Sequence, residues 1–219
     1  MRHKLVIIFL LAIVLIGAYL RLDGDFKNSF AFTYDVGRDM LALWNIVNLH
    51  RISLIGFTTG LPGVFYGPTW YLLLLPFFVI VGGNPQGIAF SIAILGIIAI
   101  CLGYLFGRKV GGDFLGLTFA ALISVSSGTI LNQIWNPDVA PLFIICLLLV
   151  LYKIYSDKIP KIKYFFLIGF LLALISDLEI VFGFTLLIGI VLSIAFIINK
   201  KIKLKSIAAF VTLTNVGFL

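Results

Sequence analysis

Long apolar runs constrain this chain more than any other feature. Leu5–Leu20, Gly87–Phe106, Phe114–Leu131, Val139–Tyr155, Tyr164–Ser176 and Ile180–Asn199 are almost free of charge, and another run starts at Ile207 and continues to Leu219. A bilayer core takes about 20 apolar residues of helix, somewhat fewer where lysine or arginine flanks reach the interface. The expected fold class is therefore an all-α polytopic membrane protein of about six to seven transmembrane helices. Composition agrees: 62% of residues are hydrophobic and only 11% are charged, with a mean hydropathy of +1.18. Soluble domains run near half apolar.

The net charge of +7 needs no nucleic-acid partner, because the basic residues form short clusters between apolar runs. Such clusters mark cytoplasmic loops. Cys101 and Cys146 both lie inside apolar runs, as small core residues do. His3 and His50 are too few and too far apart for a zinc site. Arg2-His3-Lys4 before Leu5–Leu20 has the outline of a signal peptide, but "IGAYLRL" is a poor small-residue cleavage site, so an uncleaved first span is expected.

Charge also orders the topology. The segment Pro68–Gly83 is apolar enough to cross, yet it is short and Pro76 interrupts it. If it does not cross and the N-terminus is inside, Arg2, Lys4, Arg108, Lys109, Lys153, Lys158, Lys161, Lys163, Lys200, Lys201, Lys203 and Lys205 face inward against only Asp113 and Asp157. If it crosses, the clusters from Arg108 onward turn outward, against the positive-inside rule. Pro68–Gly83 is thus expected to be a membrane-dipping or interfacial helix on the outer side. An outer first loop, residues 21–86, follows. Asp23, Asp25, Asp35, Asp39, Asp138, Asp177 and Glu179 also fall outside.

The chemistry concentrates in "FAFTYDVGRDMLALW", Phe30–Trp44. From Asp35 to Asn48 the pattern is helical: Val36, Met40, Leu43 and Val47 form one apolar stripe, while Asp35, Arg38, Ala42 and Asn45 share another face with Asp39 beside it. An amphipathic helix lying on the membrane is expected, with Asp35 at its start, where a carboxylate caps and meets the positive end of the helix dipole. Asp35 and Arg38 pair at i, i+3. A solvated ion pair accounts for that spacing as well as a site does. A site of this kind suits a hydroxyl to deprotonate and a phosphate to hold.

Three further segments are candidates. "GLPGVFYGPTWY", Gly60–Tyr71, is either an interfacial turn or an aromatic wall for a sugar or polyprenyl chain. In "NQIWNPDVAP", Asp138 is expected as an N-cap of the following span more than as a catalytic group. "SDLE", Ser176–Glu179, is either a hairpin turn or a functional acidic site near membrane depth.

"YDVGRD", "GVFYGPTWYLLLLP", "LFGRKVGG", "WNPDVAPLF" and "DLE", in that order after a first span, resemble the GT-C membrane glycosyltransferases. The resemblance is to the dolichyl-phosphate-mannose-protein mannosyltransferase and lipid A aminoarabinose transferase group, and covers nearly the whole chain. It implies a many-span bundle with outer juxtamembrane helices, of which this chain is the N-terminal portion. It implies a polyprenyl-phosphate-linked sugar as donor and a protein, lipid or glycan hydroxyl as acceptor, at the outer face of a prokaryotic plasma membrane. By the same resemblance Asp35 is the base, Arg38 the ligand of the donor phosphate, and Asp39 orients the acceptor or binds a divalent metal. Tyr66, Gly67 and Pro68 match the segment entering the second juxtamembrane helix, and Asp138 and Glu179 match polar positions facing the cavity. The chain departs from the pattern where Leu178, not a histidine, adjoins Glu179, and where Val36, not a second acid, follows Asp35. The competing expectation is a transporter or channel in which Asp177 and Glu179 bind ions, or a non-catalytic cell-envelope protein.

Overall fold

The structure is a computed structural model that describes residues 2–27, 29, 31–126, 134–157, 161–179 and 191. The described residues are mostly helical: α1 Arg2–Phe26, α2 Tyr34–Leu49, α3 Thr69–Ile80, α4 Pro85–Ser124, a 3-10 turn Asn136–Val139, α5 Ala140–Ser156 and α6 Ile162–Leu178. Among the described residues no β-strand forms; one isolated antiparallel bridge joins Thr58 and Phe65. Among the described residues three helical segments are long and apolar enough to cross a membrane, His3–Phe26, Pro85–Ser124 and Asn136–Ser156. The expected runs Ile180–Asn199 and Ile207–Leu219 lie outside the described residues, apart from Val191.

The chain divides into two compact units, Met1–Ile52 with Tyr71–Ile145, and Ser53–Trp70 with Cys146–Leu219. The residues expected as one outer loop, 21–86, therefore contribute to both. Its boundaries also move, since α1 runs on to Phe26 and α4 starts at Pro85, and it holds two helices as expected, α2 and α3.

In the first unit α4 is a helical hairpin. Its backbone leaves helical geometry at Gly111 (φ −146°) and Gly112 (φ +82°, ψ −172°). The second of these conformations is open to glycine and costly for any residue with a Cβ. The two arms then lie against each other: a Cβ on Gly107 would stand 2.6 Å from the Leu115 carbonyl oxygen, and one on Gly116 2.8 Å from that of Tyr104. The rings of Phe106 and Phe119 meet edge-on across the arms at 5.3 Å. At the turn, Asp113 Oδ1 accepts from the Tyr104 hydroxyl at 3.1 Å and pairs with Arg108 Nε at 3.0 Å. The sequence run Gly87–Phe106 falls in the first arm, and the described part of Phe114–Leu131 forms the second, helical to Ser124.

α1 packs along this hairpin. Val6, Ile100, Tyr104 and Ala120 form a buried cluster, flanked by Leu10, Ile13, Val14, Leu117 and Ile123. The direction of α1 follows from its ends. Val6, near its start, packs on Tyr104, close to the glycine turn, whereas Arg21, near its end, bonds to the carbonyls of Ile123 and Ser124. At that same far end Gln86 Nε2 donates to the Asp25 carbonyl at 2.7 Å, and Phe26 meets Phe90 at 5.5 Å. The chain thus enters α4 at the end where it left α1. The segment between makes no net crossing of this bundle, as the charge pattern of the sequence requires. α3 has 12 residues, about 18 Å at 1.5 Å per residue, well short of the roughly 30 Å of a hydrocarbon core.

Candidate functional site

α2 carries the charged stretch. Its N-cap is Thr33, whose Oγ1 accepts from the Val36 N–H at 3.4 Å, so the capping role expected of Asp35 belongs to Thr33 instead. Asp35 sits in the first turn, where the helix dipole favours a carboxylate. The helix stops at Leu49 because His50 takes a left-handed conformation, φ 52° and ψ 33°.

The apolar stripe is real but faces inward. Val36, Met40 and Leu43 are buried in the protein, while Leu41 and Trp44 are exposed. The helix therefore does not rest its stripe on a bilayer. Asp39 joins the buried side, its side chain only 3% exposed, against 26% for Arg38 and 55% for Asp35.

Arg38 links the two acids. Its Nε donates to Asp39 Oδ1 at 2.8 Å and its Nη1 to Asp35 Oδ1 at 2.7 Å. Tyr71, nearly buried in the first turns of α3, brings its hydroxyl within hydrogen-bonding reach of both Arg38 and Asp39. Burial works against the Arg38 charge, but the hydrogen bond and charge of Asp39, helped by Asp35 and Tyr71, outweigh it and raise the Arg38 pKa. The Tyr71 phenol is also raised, first by burial and then by the Asp39 charge. The result is graded: Asp39 buried below, Arg38 partly exposed between, and Asp35 exposed above. An open cavity of about 670 Å³ runs along this face, lined by Phe32, Thr33, Tyr34, Gly37, Arg38, Leu41, Ala42 and Asn45.

The divalent metal implied by the resemblance does not fit here. Arg38 occupies the place between the two carboxylates that a cation would take. Among the described residues no group of three His, Cys, Asp or Glu side chains is placed to hold a metal.

Asp138 lies elsewhere in the first unit. It belongs to the 3-10 turn before α5 and is 6% exposed, and the charge acting on it is that of Arg21. It is thus a buried carboxyl packed against α4 and within range of the Arg21 charge, where the sequence had suggested an N-cap of the following span. Arg21 itself is 1% exposed and donates to three carbonyls: Gly17 at 3.0 Å, Ser124 at 2.8 Å and Ile123 at 2.7 Å. Asp25 is equally buried, with Oδ1 lacking a hydrogen-bond partner. Sequence reasoning placed Arg21 and Asp25 in a loop. The available signal was their i, i+4 spacing in register with the preceding apolar helix.

The remaining candidates belong to the second unit. The Tyr66 hydroxyl donates to Glu179 Oε1 at 2.8 Å. The Gly67 N–H donates to Asp177 Oδ1, and the Thr69 N–H to Asp177 Oδ2 at 3.0 Å. Asp177, in the last turn of α6, thus satisfies backbone donors at the start of α3, a position where orphan amides need an acceptor. Gly67 is required there, since a Cβ would stand 2.5 Å from the carboxylate. Pro68 follows and leads into the helix. Asp177 was the residue left out of the expected site. Its signal was an acid at the end of an apolar run.

No protein-family model, no curated protein and no solved structure matches this chain.

Proposed function

We propose that the chain is a membrane glycosyltransferase that moves a sugar from a polyprenyl-phosphate donor to a hydroxyl acceptor at the outer membrane face. The observation that carries this reading is Asp35: an exposed carboxylate at a helix start, bonded to an arginine on the edge of an open groove. A base must reach the proton it removes, and Asp35 is the acid of the network with access. Asp35 takes the acceptor hydroxyl proton, the oxygen attacks the anomeric carbon, and the bond from that carbon to the phosphate oxygen breaks with its electron pair leaving on the phosphate. Arg38 meets the charge that develops there. Asp39 is assigned to holding Arg38, which its burial and bonding favour over contact with the acceptor.

Proteoliposomes given a labelled polyprenyl-phosphate hexose and a hydroxyl acceptor test the reading. Asp35→Asn is expected to abolish transfer while leaving membrane insertion intact. An active Asn variant removes Asp35 from the mechanism.

A second reading, transport of an ion or proton, has one observation in its favour. Arg21, Asp25 and Asp138 are buried charges at the ends of apolar helices, and such residues often line ion paths. Uptake that survives Asp35→Asn and is lost in Asp25→Asn distinguishes it.

A further inference from the structure

The segment between α2 and α3 holds a hairpin that the chemistry above does not use. Within Ser53–Trp70, the Gly56 N–H donates to the Tyr66 carbonyl at 2.7 Å and the Tyr66 N–H to that of Phe57 at 2.9 Å. The Thr59 N–H donates to the Val64 carbonyl at 3.1 Å. Thr59 also braces the tip: its Oγ1 accepts from the Leu61 N–H at 3.1 Å and donates to the Val64 carbonyl at 2.9 Å. Gly63, at φ +78°, closes the turn. The tip is therefore a built element with its own hydrogen bonds.

Its surface is wrong for water. Leu54, Ile55, Leu61, Val64 and Phe65 are between 38% and 69% exposed. No charged side chain occurs anywhere from Ile52 to Gly107. At the base the arrangement reverses. Phe57 is buried, its ring 4.4 Å from that of Tyr66, and Tyr66 and Gly67 are fastened to Glu179 and Asp177.

Those acids place the hairpin. They stand at the C-terminal end of α6, a 17-residue helix that is apolar from Tyr164 to Ile175 and carries Lys161 and Lys163 at its N-terminal end. Such a helix covers about 25 Å, a little short of a hydrocarbon core of roughly 30 Å, and its flanking lysines can reach outward to make up the difference. A hairpin tied to its far end sits at the level where the bilayer meets water. The exposed tip is uncharged and apolar, which an acyl boundary accepts and a charged partner does not.

We infer that the tip around Leu61–Phe65 inserts into the headgroup–acyl boundary of the chain's own bilayer, so that its partner is a lipid surface.

The test uses the full chain with Cys101→Ser and Cys146→Ser, carrying Leu61→Cys or, in a second protein, Val64→Cys, each labelled with an environment-sensitive fluorophore. Both are reconstituted into phosphatidylcholine–phosphatidylglycerol vesicles. The expected result is blue-shifted emission, loss of emission with lipids spin-labelled near the headgroup, and resistance to aqueous iodide. Iodide quenching without quenching by spin-labelled lipid would place the tip in water and overturn the inference. Shielding from both quenchers would mean that protein covers the tip, a second copy or another part of this chain, and would overturn it equally. Two independent positions guard against one substitution disturbing the turn.

Discussion

Arg21 closes the far end of the helical hairpin by donating from Nη1 to the Ser124 carbonyl at 2.8 Å. The last carbonyls of a helix have no intrahelical partner, and here one guanidinium serves two of them, Ile123 and Ser124, together with Gly17 on its own helix. Arg21→Leu leaves those carbonyls and the buried Asp138 without this partner, and the cost of breaking such a buried arrangement is about 3–5 kcal/mol. Arg21→Lys keeps the charge but not the planar fork, so it should retain part of the stability. Thermal unfolding in detergent, read by loss of helical signal, checks both. An Arg21→Leu protein as stable as the parent would remove the clamp.

At Gly112 the prediction isolates backbone strain. Nothing lies within 4 Å of a Cβ built there, yet φ is +82°. Gly112→Ala should therefore cost about 1–3 kcal/mol through conformation alone. Gly107→Ala acts differently, by forcing the arms apart at Leu115 and Gly116. The Cβ meets backbone there, the Leu115 carbonyl oxygen at 2.6 Å and Gly116 Cα at 2.9 Å, so Gly107→Ala should cost more than Gly112→Ala and should not be rescued when Leu115 is also shortened to Ala. Chemical denaturation of the four proteins decides the matter.

Asp177 and Gly67 form a backbone-to-carboxylate contact that also tolerates little change. Gly67→Ala pushes the carboxylate off the start of α3. Asp177→Ala removes it outright, and the expected loss is about 1–3 kcal/mol, the cost of unmet buried donors. Because both variants break the same contact, the double variant should lose little more than either single one. Fully additive losses in a double-mutant cycle would show that the contact does not couple them.

The two acids around Arg38 should separate by assay. Asp35 is half exposed and its ion pair is worth at most about 1 kcal/mol, so Asp35→Asn should leave the unfolding temperature nearly unchanged. Asp39 is buried beneath the guanidinium, and Asp39→Ala should cost about 3 kcal/mol or more. Tyr71→Phe, which removes the hydroxyl near Arg38 and Asp39, should fall between them. Equal stability losses at Asp35 and Asp39 would contradict the graded burial.

Much of this arrangement follows from patterns a linear chain can carry. Apolar run length marks α1, the arms of α4, and α5. A 3.6-residue period marks α2 and its stripe from Val36 to Leu43. The excess of basic residues on the side of Arg108 and Lys109, against only Asp113 and Asp157, anticipates that the segment before α4 returns to the end it left. What periodicity could not reveal is which neighbour closes over a helix face. Asp39 and Arg38 are adjacent in sequence, yet one is buried and the other half-open, because Tyr71 and the protein interior lie on one side of α2 and the groove on the other. Asp177 reads as a turn acid until its partners appear, and those partners are backbone N–H groups, which leave no trace in residue type. Arg21 and the carbonyls of Ile123 and Ser124, over a hundred positions apart, meet only when α1 and the α4 hairpin align. The sequence by itself determined a helical, membrane-suited chain and the location of its charged stretch, since burial in lipid selects on composition and spacing. Only the tertiary structure decided which charges are counter-ions, which are clamps and which one faces the groove, since those roles depend on distances that folding alone creates.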